Sequence, residues 1–72
     1  MLRIKWERLR REWTQEQLGR LAQMAGTDIS KIERGLLQPY PGQQERLAQV
    51  LGITPAELLI PACKPGDFYV HS

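Results

Sequence analysis

The side chains of this sequence that could carry chemistry are mainly cations, and they are concentrated in one half of the chain. Residues 1–34 contain eight lysines and arginines against five acidic residues, and residues 35–72 contain two against three. The net charge of +2 therefore divides into +3 and −1. A basic half on a small domain is typical of proteins that bind nucleic acids, although a solvated helix surface carries similar charges. Both interpretations are open at this point.

Groups that would support catalysis are missing from the pattern. The one histidine, His71, is the penultimate residue, no glycine-rich phosphate loop occurs, and no paired acids converge on an apolar pocket. The single cysteine, Cys63, cannot form an internal disulfide, and neither Cys63 nor His71 has partners at metal-ligand spacing. We therefore expect no enzyme activity, no cofactor and no metal site.

Length and composition limit the architecture. The 72 residues are 42% hydrophobic and 25% charged, as expected of one small globular domain. Such a domain has too little material to enclose an effector pocket, so we expect no small-molecule effector. No run approaches the roughly 20 apolar residues that span a bilayer, and the N-terminus lacks the apolar core of a secretory signal. With one cysteine and no such segments, the protein is expected to be cytoplasmic and away from membranes.

Apolar spacing and a capping signal predict the first two helices. Leu2, Trp6, Leu9 and Trp13 are spaced by 4, 3 and 4 residues, which indicates one face of a helix over the first 12 or so residues. The segment 14–17, TQEQ, predicts a capping box in which a threonine and a glutamine satisfy each other's free amides. A second helix is therefore expected from residue 14 to about residue 23.

Glycines, prolines and a second capping signal divide the rest of the chain. A third helix is predicted over residues 28–34 and ends at Gly35, since glycine commonly terminates helices. Two prolines and a glycine prevent residues 36–42 from being helical throughout. A fourth helix follows over about 43–51, and the segment 54–57, TPAE, predicts the start of a fifth. The predicted fold class is all-α.

Three segments resemble the Cro/phage-repressor (XRE-type) helix-turn-helix family: TQEQLG at 14–19, ISKIERG at 29–35 and LAQVLGIT at 47–54. They follow the family order without a gap, and the resemblance covers residues 4–59. It implies a five-helix, lambda-repressor-like DNA-binding domain in residues 1–60, with the third helix in the DNA major groove. It also implies a transcriptional regulator, a repressor in the favoured interpretation, that binds double-stranded DNA as a homodimer on a two-fold-related operator.

The resemblance places the base-reading positions on the outward side of the third helix, at Thr27, Ser30 and Lys31. Lys31 can donate to guanine O6 or N7, and the two hydroxyls can contact several bases. Asp28 could accept from a cytosine amino group, but an acid in the first turn also compensates the helix dipole, and we favour this second interpretation. Because Gly26 cannot read a base, we expect modest specificity or a contribution from DNA shape.

Phosphate contacts are expected outside the third helix. Gln15 begins the second helix, where free amides favour anions. The other candidates are Arg10, Arg34 and the loop residues Gln38 and Tyr40. Such contacts position a protein on DNA without specifying sequence.

The resemblance also predicts how the bundle is held together. Gly19 stands where the family has alanine or glycine, which suggests that the second and third helices cross closely. Glu33 stands where the family pairs an acid with a first-helix arginine, here Arg8. The expected ion pair orders the bundle, although its net contribution to stability can be near zero.

The turn between the second and third helices departs from the family. Gln23 stands where the family has a glycine with a left-handed backbone, and Ala25 replaces a serine or threonine cap. We favour the register without a gap. The alternative puts Gly26 in the turn and Thr27 at the cap.

Apolar residues outside the helices suggest a second function. Leu36 and Leu37 stand where the family often has Lys, Arg or Asn, so at least one is expected to pack inward or into a dimer contact. The tail, residues 61–72, is predicted to be a loop or short strand. Its segment 68–70 could form an edge strand at a dimer interface, pack on its own domain or be disordered. The alternative function is a protein-interaction module of the same fold, such as an antitoxin that binds its toxin.

Overall fold

The computed structural model describes residues 1–62, and this part of the chain is all-helical, as predicted. It contains α1 (Arg3–Arg10), α2 (Gln15–Leu21), α3 (Gly26–Glu33) and α4 (Pro41–Leu51), followed by one 3-10 turn at Pro55–Glu57. The expected count of five helices is not confirmed. Cys63, His71 and the predicted strand 68–70 lie outside the described residues. No helix within residues 1–62 is long and apolar enough to cross a bilayer.

The core takes side chains from all four helices and from the segment after the 3-10 turn. Each of its members is at most 1% exposed: Ile4, Leu18, Ala22, Ile29, Ile32, Leu47, Leu51 and Leu58. Full burial of a large aliphatic side chain is worth about 1.5–3 kcal/mol relative to exposure. The core therefore fixes the orientation of α3, because its two isoleucines are anchored there.

α2 begins with the predicted capping box. The amide of Gln17 donates to Thr14 Oγ1 over 3.0 Å, and the amide of Thr14 donates to Gln17 Oε1 over 2.7 Å. Each side chain thus satisfies an amide that has no partner within the helix.

All four α-helices end in the same kind of turn. In each, a residue one or two positions past the last helical residue adopts a left-handed backbone, with φ between 58° and 77°: Glu12, Gln23, Gly35 and Gly52. The next amide then donates to the carbonyl five residues back, as from Leu36 to Lys31 over 2.8 Å. This is the Schellman arrangement, which satisfies carbonyls at the helix end. Two of the four left-handed residues are not glycine.

The turn between α2 and α3 has the register without a gap. Gln23 is the left-handed residue, with φ of 60°, and Ala25 is the extended residue before α3. α3 begins at Gly26, two residues before the predicted start, because the Ala25 carbonyl accepts from the amides of both Asp28 (3.0 Å) and Ile29 (3.2 Å).

α4 also begins two residues earlier than predicted, at Pro41 rather than Gln43. Proline needs no amide partner in a first helical turn and its φ suits a helix, so the Pro41–Gly42 pair opens the helix instead of extending the loop. The Gln43 side chain supports this start, since its Oε1 accepts from the amide of Tyr40 over 2.9 Å.

The predicted fifth helix stops after one turn for a tertiary reason. Glu57 Oε1 accepts from the amide and the hydroxyl of Thr54, at 3.2 and 2.8 Å, so the start signal operates. After the 3-10 turn, the Leu58 carbonyl accepts from the amide of Ile4 over 3.0 Å. The Ile60 carbonyl accepts from the amide of Arg3 over 2.9 Å. These carbonyls supply partners for the start of α1, which has no side-chain cap.

Candidate nucleic-acid interface

α3 has one side in the core and one side available to a partner. Ile29 and Ile32 are fully buried, at i and i+3. The predicted base-reading residues occupy the remaining surface: Thr27 and Lys31 are exposed, and Asp28 and Ser30 are half-buried. A rigid helix with polar groups on its outer side has the size and shape that enters a major groove.

A groove runs between the beginnings of α2 and α3. It is lined by Gln15, Glu16, Ala25, Gly26, Thr27 and Ser30. The two helices approach closely here, since a Cβ on Gly26 would lie 3.0 Å from Cα of Glu16. The groove therefore joins a predicted phosphate contact, Gln15, to two predicted base-reading residues.

The Gln15 side chain is hydrogen-bonded to a buried residue of α3, Glu33. Its Nε2 donates to Glu33 Oε1 over 3.1 Å. Glu33 also accepts two hydrogen bonds from Arg8: Arg8 Nε donates to Glu33 Oε2 over 2.6 Å, and Arg8 Nη2 donates to Glu33 Oε1 over 3.0 Å. The Glu33 side chain is 2% exposed and the Arg8 side chain is 8% exposed. Arg8 Nη1 donates to the carbonyl of Trp13 over 2.7 Å. The two residues expected to form an ion pair are thus brought together, and they connect α1, α2 and α3.

The other predicted phosphate contacts do not share this groove. Arg10 is exposed, but its Nε lies 3.5 Å from Glu7 Oε1 and its guanidinium 5.1 Å from the centre of the Trp6 ring. Arg34 is exposed directly after α3. Gln38 and Tyr40 are exposed in the loop before α4. Gln38 belongs to a separate groove, called the apolar groove because most of its other lining residues are aliphatic: Leu2, Ile32, Gly35, Leu36, Leu37 and Leu59.

A cluster around Glu7 was missed by the sequence reasoning. Glu7 is 2% exposed and accepts from Arg3 Nε over 2.7 Å and from Arg11 Nη1 over 2.6 Å. Burial raises the pKa of Glu7, but the hydrogen bonds from Arg11 and Arg3, with the charge of Arg10, outweigh it and lower the pKa below its ordinary value. Several cations of the basic half are therefore engaged by a buried acid. Their spacing of three and four residues from Glu7 was the available signal.

The separate apolar groove lies beside the loop that follows α3. Leu36 is 68% exposed and Leu37 is 36% exposed, so neither packs into the core, and of the two expected arrangements only the dimer contact is left. Both instead line the groove with Leu2 and Leu59. The loop leaves α3 through Gly35, which has a left-handed backbone with φ of 77°. That dimer contact remains a prediction.

A family model described as a helix-turn-helix domain matches residues 2–59, which is most of the chain. The chain belongs to this helix-turn-helix domain family. α2, the turn at Gln23 and α3 are its helix-turn-helix, in agreement with the Cro/phage-repressor resemblance. No curated protein and no solved structure gives a significant match. A helix-turn-helix domain indicates a DNA-binding regulator, and the family is typically not enzymatic.

Proposed function

We propose that this helix-turn-helix protein is a sequence-specific transcriptional repressor that binds a two-fold-related operator as a homodimer, with α3 in the major groove. The observation that carries this proposal is the outer side of α3, where Thr27, Asp28, Ser30 and Lys31 stand on a helix whose other side is anchored in the core. Residues 1–60 form the DNA-binding domain and residues 61–72 a tail outside it. Repression follows from occupancy of the operator.

Different side chains contact the bases and the phosphates. Lys31 donates to guanine O6 or N7, and Thr27 and Ser30 contact neighbouring base edges. Gln15 lies in the same groove and contacts a phosphate with the part of its amide that Glu33 does not engage. Arg34, Arg10, Gln38 and Tyr40 add phosphate contacts at the edges, and these fix orientation rather than sequence.

Selection from a random duplex library tests the central claim. We expect the purified full chain to enrich a roughly palindromic site with half-sites about 34 Å apart. The affinity for that site should fall steeply with salt, with a slope of about 0.9 per phosphate contact. The absence of enrichment, together with weak binding that salt abolishes, contradicts a sequence-specific regulator.

Point variants then test which side chains read bases. Lys31→Ala should weaken binding to the selected site about 5- to 150-fold and relax the preference at one base pair. Ser30→Ala, alone and combined with Lys31→Ala, tests the neighbouring contact. The matched control is Lys5→Ala, which removes the same charge from α1. Equal losses for Lys31→Ala and Lys5→Ala would mean that α3 does not read bases.

The apolar groove supports a second copy of the chain as the dimer partner. Leu2, Leu36, Leu37 and Leu59 line it beside the loop that leaves α3, so a contact there would link two recognition helices directly. Leu36→Ser should weaken self-association in sedimentation equilibrium and weaken operator binding at low protein concentration. The control is Leu21→Ser on α2, which removes a leucine that is 54% exposed elsewhere. Unchanged self-association in Leu36→Ser places the dimer interface elsewhere.

The same groove favours one second candidate, a protein-interaction module such as an antitoxin. An exposed apolar surface commonly marks a site of contact with another protein. The most exposed leucine of the apolar groove is Leu36. A chain that remains monomeric and selects no DNA site would favour this candidate over the repressor. Both properties are measured in the experiments above.

A further inference from the structure

The predicted base-reading side of α3 lacks a side chain at its first position, Gly26. An acidic residue of α2, Glu16, lines the groove beside that position. Gly26 occupies the first position of α3, near the end that enters the major groove, and it contributes no side chain. The groove at this point is lined by Gly26 on α3 and by Glu16 on α2. A residue of the neighbouring helix is therefore the nearest candidate to reach the bases there.

Close packing brings Glu16 to this position. A Cβ on Gly26 would lie 3.0 Å from Cα, 3.2 Å from N and 3.3 Å from Cβ of Glu16. The first turn of α3 thus rests directly on the backbone of Glu16. The Glu16 side chain is exposed, and no ion pair within residues 1–62 engages its carboxylate. It is available to a partner of the groove.

We propose that Glu16 is a specificity-determining residue that reads a cytosine, in place of the side chain that Gly26 lacks. This inference rests on the proposed insertion of α3 into the major groove. A carboxylate only accepts hydrogen bonds, and cytosine presents its N4 amino group as a donor in the major groove. Guanine presents the acceptors N7 and O6, and thymine presents O4 and a methyl group, so neither can donate to the carboxylate. Adenine has an N6 donor, but its acceptor N7 lies beside it and repels a carboxylate, so cytosine is the better match.

The same carboxylate limits affinity while it adds selectivity. DNA phosphates repel Glu16, and only the matching cytosine compensates for that repulsion. Specificity is a difference of affinities, and a repulsive element against the wrong partner contributes to it directly. An acid at this place is also favourable to the α2 dipole, which affects folding and has no influence on base preference. Base preference is therefore the readout that separates the two roles.

Library selection on three variants tests the proposal. The wild-type chain should enrich cytosine at one position of each half-site and discriminate about tenfold against thymine there. Glu16→Ala should lose the preference at that position alone and bind non-specific duplex more tightly. Glu16→Gln should shift the preference to adenine, because a glutamine amide can pair with N6 and N7 of adenine. Glu45→Gln, which makes the same charge change on the exposed part of α4, should keep the wild-type profile.

The outcomes distinguish this inference from the proposed function. If wild type and Glu16→Ala select the same base at every position, Glu16 does not read DNA and the proposed function stands. If the wild-type chain selects no site, the proposed function fails and this inference fails with it. Urea unfolding of each variant accompanies the selection, and the conservative Glu16→Gln decides the result if Glu16→Ala is poorly folded.

Discussion

Arg8 on α1 and Glu33 on α3 form an ion pair inside the bundle, with Nε 2.6 Å from Oε2 and Nη2 3.0 Å from Oε1. The pair also binds the carbonyl of Trp13 and the side chain of Gln15, so it connects three helices to the candidate DNA surface. Burial removes the hydration of both charges, and this loss offsets much of their attraction. The pair therefore specifies an arrangement more than it adds net stability.

Removing one partner of this pair should be far more damaging than replacing both. Arg8→Met or Glu33→Leu alone should lower the free energy of unfolding by about 3–5 kcal/mol, because each leaves a buried charge without its partner. The double variant should recover part of that loss, although the Trp13 carbonyl still lacks its donor. Urea unfolding of the four proteins measures this cycle. Single variants that lose less than about 1 kcal/mol would mean that the pair is solvated.

Stability should fall in acid partly through Glu7. Because the pKa of Glu7 is lowered in the folded chain, its ionised form stabilises the fold above the ordinary pKa of 4.5, and this contribution is lost as pH falls through the lowered pKa. Glu7→Gln should be less stable near neutral pH, by about 2 kcal/mol, and should lose less on acidification. The pKa of Glu57 is also lowered, chiefly by its hydrogen bond with Thr54, and this main cause is present in both proteins. Parallel losses of stability in the two proteins would contradict this role of Glu7.

Signals that act within one turn of helix were predictable from the sequence. Thr14 and Gln17 are three residues apart, so their reciprocal hydrogen bonds depend on local backbone alone. The stop at Gly35 is equally local. The polar side of α3 was predictable because Ile29 and Ile32 mark the opposite side.

Features that depend on contacts between distant residues were not predictable in the same way. The 3-10 turn is short because Leu58 and Ile60 supply carbonyls to the start of α1, more than 50 positions away in sequence. The place of Glu16 beside the recognition helix depends on how closely α2 and α3 cross at Gly26. Such details require the three-dimensional arrangement.

The left-handed turn residue between α2 and α3 offers a stabilising substitution. Gln23 is exposed and has φ of 60°, a conformation that costs residues with a Cβ about 1 kcal/mol or more and costs glycine little. Gln23→Gly should therefore raise the free energy of unfolding by up to about 1 kcal/mol. Gln49→Gly is the matched control, since it places glycine at an exposed position inside α4 and should destabilise by about 1 kcal/mol. Destabilisation by both substitutions would show that the turn at Gln23 is not strained.

The crossing of α2 and α3 should be sensitive to a single methyl group at Gly19. A Cβ there would lie 2.6 Å from the carbonyl oxygen of Met24, which is backbone and cannot rotate away. Gly19→Ala should therefore destabilise the fold by about 1–2 kcal/mol, since overpacking outweighs the gain in helix propensity. Gly42→Ala in α4 is the control, because its nearest neighbour would be the flexible end of Arg46 at 3.8 Å. It should be neutral or stabilising by up to about 1 kcal/mol. If both substitutions stabilise the chain in thermal unfolding, the turn at residues 23–25 moves enough to admit the methyl group. The position of α3 against α2 would then be less rigid than the packing at Gly26 indicates.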